Sequence, residues 1–276
     1  MTINIKGTLL DLTKPKIMGI LNITPDSFFD GGDYNSEYKI LNQVEKMLSE
    51  GADIIDVGGH SSRPGAKKIT IEKETERVIP IIKLITGKFK NTIISIDTFR
   101  SEIARKAIEA GASIINDISG GDLDNKMYEV AGELKVPYII MHMKGVPSNM
   151  QNNTEYDNVI FDIIKNLSYK IDLAKKAGIV DIIIDPGFGF GKSLKDNFKI
   201  LKNLSSFKQL NQPIMVGLSR KSMIYKILES SAKNVLNGTT CLNSISLNNG
   251  ANIIRVHDVK EAKETVKLIE FMNENS

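Results

Sequence analysis

The sequence predicts a single (β/α)8 barrel of the TIM type with a short N-terminal β-hairpin. Eight short runs rich in β-branched residues alternate with helical patterns, which is typical of a parallel sheet. The 276 residues provide about 34 residues for each strand–helix unit, the usual size in such a barrel. An open doubly wound sheet usually has fewer strands, and no glycine fingerprint follows the first strand here. No linker-like run divides the chain, so we expect one domain over residues 1–276, with residues 1–14 forming the hairpin.

The elements follow from periodicity and from start and stop signals. Residues 3–12 are predicted to form the hairpin, which turns at Lys6-Gly7 and covers the bottom of the barrel. Helix starts and stops include Ser36 as a predicted N-cap and Gly51 as a terminator. The predicted strands are 16–23, 53–57, 92–97, 113–118, 136–141, 181–185, 214–218 and 253–256. The predicted helices are 36–50, 72–89, 101–110, 126–134, 159–177, 197–204, 222–228, 235–248 and 259–273.

Composition excludes several classes of function. A net charge of only +3, without interleaved basic and aromatic residues, argues against a nucleic-acid partner. Cys241 is the only cysteine, so the chain can form neither an internal disulfide nor a cysteine-based metal site; we expect Cys241 to be a small buried filler. The N-terminus has no cationic leader, and no stretch approaches the roughly 20 apolar residues of a membrane span. We therefore expect a cytoplasmic protein without membrane contact.

The stretch IIIDPGFGFGKS, residues 182–193, predicts a buried strand that ends at Asp185 and opens into a glycine-rich loop. It is not a phosphate loop, because three residues separate Gly187 from Gly191-Lys192 where four are needed. It is not a dinucleotide fingerprint either, because Lys192 stands where the last glycine should be. We therefore expect Asp185 to be the functional group, and Lys192 to be a solvated loop residue.

Polar residues stand at the end of every predicted strand, where a barrel places its active site. They are Asn22, Asp56, Asp97, Asn116, Asp117, His142, Asp185, Ser219, Arg220, Lys221, Arg255 and His257. The carboxylates and amides are suited to the N–H groups of a polar heterocycle. Arg255, His257 and Asn22 form a side that favours an anion, with Mg²⁺ as a fitting cation. Two alternatives stay open: a Schiff-base Lys221 whose pKa is lowered by Arg220, and a zinc site built from three histidines.

Two long polar loops, residues 24–35 and 58–70, follow the first two strands and contain several glycines and prolines. We interpret them as lids that close over the site.

Seven motifs together resemble the dihydropteroate synthase family across essentially the whole chain. They are MGILNITPDSFFDGG, IIDVGGHSSRPGA, ISIDT, INDISGG, DPGFGFGK, VGLSRKS and IIRVHDV. The resemblance implies a pterin-binding barrel, usually a homodimer, that acts in folate biosynthesis. It implies condensation of dihydropterin-methyl diphosphate with 4-aminobenzoate by a dissociative, Mg²⁺-assisted displacement that releases diphosphate. It also implies that sulfonamides, which resemble the aminobenzoate, are inhibitors.

The resemblance also implies roles for individual residues. Asn22 is the implied Mg²⁺ ligand, and Asp56 is implied to be a buried supporting carboxylate. The implied catalytic residues are Asp97, Lys221, Arg255 and His257. The implied pterin and diphosphate site contains Asn22, Ser62, Asp97, Asn116, Met141, Asp185, Lys221, Arg255 and His257. The implied aminobenzoate site contains Ser62, Arg63, Pro64, Phe190, Lys221 and Ser222.

Two other functions compete with the synthase. A methyltetrahydrofolate-type methyltransferase shares the barrel and its acids but binds no diphosphate, and a pterin-binding paralogue would retain the site without catalysis. The loop after Asn22, the run Ser62-Arg63-Pro64 and the pair Arg255 and His257 favour the synthase over both.

Overall fold

The computed structural model describes residues 1–23, 34–60, 69–146, 150 and 154–275. Within these ranges the strands are β1 (Thr2–Ile5), β2 (Thr8–Asp11), β3 (Lys16–Asn22), β4 (Ile54–Gly58), β5 (Ile93–Asp97), β6 (Ile114–Asp117), β7 (Tyr138–Met141), β8 (Ile182–Asp185), β9 (Met215–Val216) and β10 (Ile253–Val256). The helices are α1 (Tyr34–Ser49), α2 (Ile71–Lys88), α3 (Ser101–Glu109), α4 (Met127–Leu134), α5 (Val159–Lys176), α6 (Leu194–Lys202), α7 (Ser222–Tyr225), α8 (Leu236–Asn248) and α9 (Val259–Glu274). A 3-10 segment, Leu204–Leu210, follows α6.

Eight parallel strands, β3 to β10, form the barrel in the spatial order β8-β7-β6-β5-β4-β3-β10-β9. The sheet closes through an isolated parallel bridge between Ile184 and Ile214. There the amide of Ile184 donates to the carbonyl of Pro213 over 2.9 Å. Helices alternate with the strands along the chain, so the prediction of a (β/α)8 barrel is confirmed.

The hairpin covers the bottom of this barrel, as predicted. Strands β1 and β2 pair antiparallel, and Lys6 and Gly7 form the turn with φ of 49° and 89°. Two consecutive positive φ values match a type I′ turn, whose twist suits a two-residue hairpin. Ile3, Ile5 and Leu12 are buried against the apolar floor of the barrel.

Side chains alternate along each strand with a period of two, and this alternation stacks the interior in layers. The lower layer is apolar and contains Met18, Ile54, Ile93, Ile114, Ile139, Ile183, Met215 and Ile253. Two residues later on the same strands stand Ile20, Asp56, Ser95, Asn116, Met141, Asp185, Gly217 and Arg255. The polar groups therefore begin one layer above a dry floor, at the carboxyl end of the strands.

Some local predictions are wrong. Helix α1 begins at Tyr34, before the predicted cap Ser36. Helix α6 begins at Leu194 rather than residue 197, because the Ser193 hydroxyl accepts a hydrogen bond from the Asp196 amide over 3.1 Å and caps it. Cys241 is exposed, not buried. It lies about 160° around α8 from the buried Asn243, at 100° per residue, and so faces away from the barrel.

None of the helices in the described ranges has both the length and the apolar character needed to cross a membrane.

Candidate active site

Four strand ends form one lateral row at the mouth of the barrel. Asn22, Gly58, Asp97 and Asn116 are successive partners in the register of β3 to β6. A Cβ built on Gly58 would lie 3.5 Å from Asn22 Oδ1 and 3.6 Å from Asp97 Oδ2. The glycine therefore leaves room between an amide oxygen and a carboxylate. Both of these groups face the same space.

Arg255 on β10 contacts acidic residues of two nearby strands, β4 and β5. Its Nε donates to Asp56 Oδ2 over 2.6 Å, and its Nη2 donates to Asp97 Oδ2 over 2.7 Å. Asn116 Nδ2 donates to the same Asp56 oxygen over 3.1 Å. Asp56 is 0% exposed and lies two residues below the end of β4, not at the end as the sequence suggested. It lies behind Arg255 and Asn116 and supports both side chains.

Burial sets the protonation of the site's acids. It raises the pKa of Asp97 to about 7, and Arg255 only partly offsets this. Burial also raises the pKa of Asp185, against the opposing charge of Lys221. Burial disfavours the charged guanidinium of Arg255, but Asp56 and Asp97 outweigh it and raise the pKa of Arg255. The two raised carboxylate pKa values mark the site as a functional candidate.

Lys221 lies against the loop that follows β8. Its Nζ donates to the carbonyl of Phe188 over 2.5 Å and lies 4.9 Å from the ring centroid of Phe190. Burial lowers the pKa of Lys221 to about 8, Asp185 opposes this shift, and Arg255 contributes to it. The sequence attributed a lowered pKa to Arg220, but Arg220 instead pairs with Asp258, with Nε to Oδ2 at 3.0 Å. The cause of the shift was therefore predicted wrongly.

His257 is exposed beside the same mouth and is oriented by Ser219. Ser219 Oγ lies 2.9 Å from His257 Nδ1, and the same hydroxyl accepts from the His257 backbone amide over 3.2 Å. The sequence placed Ser219 in the ring but gave it no partner. The contact orients the imidazole directly after the end of β10.

Met141, which stands in the same layer as Asp185, and Phe190 lie in one apolar cluster. Its buried members are Ile118, Met141, Met143 and Met150, with Phe99, Leu123 and Phe190 packed against them. The structure thus brings together Met141, predicted for the pterin site, and Phe190, predicted for the aminobenzoate site. A flat aromatic ring could pack on this surface.

Three predicted ring members lie away from the mouth. Asp117 accepts hydrogen bonds from Tyr138 Oη and the amide of Ser119 at 2.7 and 2.8 Å, in a buried structural network. His142 contacts Lys192, with Nδ1 to Nζ at 3.0 Å. Lys192 is only 3% exposed, so its prediction as a solvated lysine is wrong. The third is Arg220, whose partner is Asp258.

Several predicted residues lie outside the described ranges, which exclude residues 24–33 and 61–68. Ser62, Arg63 and Pro64 are among them, as is most of the predicted first lid. Ser222 is the first residue of α7 and is half-buried. The roles assigned to these residues stay predictions.

The metal predictions can be compared with the donor set. The described part of the chain contains no group of three His, Cys, Asp or Glu side chains arranged to hold a metal. Nδ1 of His142 contacts Lys192 and Nδ1 of His257 contacts Ser219, and the zinc alternative stays a prediction. Asn22 offers a hard oxygen beside an open space, which fits Mg²⁺ if substrate oxygens and water complete its coordination.

Replacing Asp97 with asparagine should change how stability depends on pH. Because the pKa of Asp97 is raised in the folded protein, the protonated Asp97 carboxyl contributes to the free energy of unfolding. This contribution is fully present below the ordinary pKa near 4 and is lost as the pH rises to about 7. We therefore expect the unfolding free energy of Asp97→Asn, relative to native protein, to increase by about 4 kcal/mol between pH 4 and 8. Urea unfolding at several pH values measures this difference.

The matched control is Asp157→Asn, which alters an exposed carboxylate. Its stability should follow that of native protein at every pH. Parallel pH curves for Asp97→Asn and native protein would contradict the raised pKa.

Comparisons with known proteins show the family to which this chain belongs. The family model for pterin binding enzymes matches residues 18–257. Dihydropteroate synthase of Escherichia coli (strain K12) is 43% identical over 267 residues, covering 96% of this chain and 94% of that protein. The resemblance stated from the motifs is confirmed.

Solved structures give the same result. Dihydropteroate synthase of Yersinia pestis in complex with a sulfonamide drug superposes with a TM-score of 0.93 at 38% identity, covering 99% of this chain and 100% of that one. Dihydropteroate synthase of Xanthomonas albilineans with 4-aminobenzoic acid superposes with a TM-score of 0.91 at 34% identity, covering 99% and 98%. This chain belongs to the family of pterin-binding enzymes.

Proposed function

We propose that this enzyme condenses (7,8-dihydropterin-6-yl)methyl diphosphate with 4-aminobenzoate, giving 7,8-dihydropteroate and diphosphate. The observation that carries the proposal is the polar layer on a dry barrel floor, in which Arg255 links Asp56 to Asp97. Relatives named dihydropteroate synthase, among them one solved with 4-aminobenzoic acid, support it.

The pterin ring would bind inside the polar layer. A pterin carries an amino-pyrimidinone edge with adjacent N–H donors, and a carboxylate can accept two such bonds in parallel. Asp185 is 4% exposed and lies at the end of β8, so it meets this edge without competing water. Asp97 and Asn116, next to each other in the row, supply further polar contacts, and Met141 and Arg255 cover the ring.

The diphosphate would leave on the side of Asn22, Arg255 and His257. The methylene carbon–oxygen bond breaks, and its electron pair leaves with the diphosphate. Arg255 and His257 stabilise the negative charge that develops there. Asn22 would help to hold a Mg²⁺ ion, which when bound neutralises charge on the leaving oxygens. The cationic methylene that remains is conjugated with the pterin and lies near the carboxylate of Asp97.

The aromatic amine would then attack from the side of Lys221 and Phe190. The lone pair of the amine nitrogen forms the new carbon–nitrogen bond, and the nitrogen afterwards releases a proton to water. An aniline nitrogen is unprotonated near neutral pH, so this step needs no strong general base. Ser62, Arg63, Pro64 and Ser222 are the further residues that we propose for this side.

We also propose sulfonamide binding at the aminobenzoate side, because a relative is known with such a drug bound. The homodimer and the cytoplasmic location implied by the family resemblance stay predictions.

The test is release of diphosphate from the pterin substrate by purified protein, with and without 4-aminobenzoate and Mg²⁺. We expect rapid release coupled to dihydropteroate formation only when both are present. A methyltransferase or a non-catalytic paralogue would release no diphosphate under any condition, and that result would refute the proposal.

A further inference from the structure

We infer that Lys192 is a positioning residue, which anchors the loop after β8 so that the loop presents Phe190 and the Phe188 carbonyl to the aminobenzoate side. The inference rests on the proposed function. Lys192 itself is buried behind the loop and would touch neither substrate. Its effect is transmitted through the backbone of residues 187–190.

Four acceptors converge on the Lys192 amino group. Nζ contacts His142 Nδ1 at 3.0 Å and the carbonyls of His142, Gly187 and Phe190 at 3.1, 2.8 and 2.9 Å. Two of the carbonyls belong to the loop and one belongs to the end of β7. One side chain thus ties both ends of the loop to the neighbouring strand.

The loop conformation depends on its glycines. Gly187, Gly189 and Gly191 have φ of 74°, 83° and 62°, which side chains with a Cβ rarely adopt. A Cβ on Gly187 would lie 1.9 Å from the carbonyl oxygen of His142. The backbone therefore packs directly on β7 and turns its carbonyls inward. Such a loop has few side chains of its own to hold it, so the lysine supplies the missing contacts.

A lysine is unusual at a buried position, and the groups around Lys192 compensate for its burial. Burial lowers the pKa of Lys192 well below its ordinary value, while Asp185 opposes this effect. Burial and Lys192 lower the pKa of His142 to about 2, so the imidazole is neutral and can accept a hydrogen bond. A buried lysine with four well-placed acceptors acts as a specific cross-link, because any other arrangement leaves it unpaired.

The anchored loop forms one wall of the candidate site. Lys221 Nζ donates to the Phe188 carbonyl at 2.5 Å and lies over the Phe190 ring. Phe190 packs on the cluster that contains Met141. Loss of the Lys192 contacts would therefore move Phe190 and change the contacts that Lys221 makes with the loop.

The backbone of Asp185 is held by the sheet instead, and its carboxylate contacts the loop where it accepts from the Gly187 amide over 2.7 Å. Asp185 pairs with Met141 in the β7–β8 register, and its carbonyl accepts from the His142 amide over 3.0 Å. A second contact, from the Gly189 amide to Asn197 Oδ1 at 2.7 Å, keeps the loop attached when Lys192 is changed. The pterin side should thus be less sensitive to Lys192 than the aminobenzoate side.

The experiment compares Lys192→Met with the control Lys195→Met, which removes an exposed lysine three residues later. The KM for 4-aminobenzoate is measured by diphosphate release. The Kd and stoichiometry of a pterin without diphosphate are measured by calorimetry. We expect the KM of Lys192→Met to rise about tenfold while the pterin Kd changes less than about threefold. Lys195→Met should match native protein in both.

Comparison of the KM for 4-aminobenzoate with the stoichiometry of pterin binding distinguishes a positioning role of Lys192 from partial unfolding of the variant. A smaller folded fraction would lower kcat and pterin stoichiometry but leave KM unchanged. If Lys192→Met does not fold, His142→Leu provides the test, because it removes one of the four acceptors and should raise the same KM about threefold.

Equal changes in KM and pterin Kd, or an unchanged KM in the folded variant, would overturn the inference while leaving the function intact. Absence of diphosphate release by native protein would instead refute the proposed function, and the inference with it.

Discussion

Replacing Asp185 with alanine is expected to abolish measurable pterin binding. The carboxylate is 4% exposed and stands at the end of β8. Its charge raises the pKa of Lys221 more than the charge of Asp97 does. Two hydrogen bonds to a buried carboxylate contribute about 1.5–3 kcal/mol each. Their loss should weaken binding at least a hundredfold, since about 1.4 kcal/mol corresponds to a factor of ten. Calorimetric titration with a pterin measures the affinity directly.

The matched variant is Asp185→Asn, which keeps the size of the side chain and one acceptor oxygen. It should bind pterin with an affinity between those of native protein and Asp185→Ala. The amide of Gly187 donates to Asp185 Oδ1 over 2.7 Å, so a retained oxygen also keeps the loop in place. Native affinity for pterin in Asp185→Ala would overturn the assignment of Asp185 to the pterin site.

The strand ends were predictable because strand periodicity and barrel topology act over short distances in the sequence. Once eight β-rich runs alternate with helices, every run must end at the same face. Asn22, Asp97, Asn116 and Arg255 followed from that rule alone. The family motifs then added the residue roles, which the barrel rule could not provide.

The wrong predictions share a physical cause: they depended on where a side chain points and on the tertiary contacts that it meets there. Asp117 alternates with Asn116 and therefore faces the opposite side of β6. Lys192 looked solvated because lysines usually are. Its burial depends on three carbonyls brought together by glycine backbone angles, and no local pattern encodes that convergence. The choice of Asp258 by Arg220 also depends on tertiary contacts.

Removing the guanidinium of Arg255 is expected to affect stability and catalysis together. In Arg255→Met, Asp56 and Asp97 lose a shared partner at 2.6 and 2.7 Å. Breaking one side of a buried ion pair costs about 3–5 kcal/mol, because a charge is left without compensation. We therefore expect a fall of that size in the free energy of unfolding at pH 8, measured by urea titration. Diphosphate release should fall about a thousandfold, since the leaving charge loses a cation as well.

The pH dependence identifies the source of that loss. Arg255 lowers the pKa of Asp97 against the effect of burial, so its removal raises that pKa further above its ordinary value. A carboxyl group with a raised pKa is protonated in the folded protein at low pH, and its unfavourable charge is then absent. The stability lost in Arg255→Met should thus be smaller at pH 5 than at pH 8.

A control variant and a second-site change separate this explanation from simple loss of packing. Arg105→Met removes an exposed arginine that pairs with Glu133 and should leave stability nearly unchanged.

Adding Asp56→Asn to Arg255→Met removes one of the two uncompensated charges and should recover part of the stability without recovering activity. If the double variant is no more stable than Arg255→Met, or if the loss is equal at pH 5 and pH 8, the charge balance around Asp56 and Asp97 is not what Arg255 supplies. The contribution of Arg255 to the free energy of unfolding would then come from its hydrophobic stem. The guanidinium would be assigned to substrate binding alone.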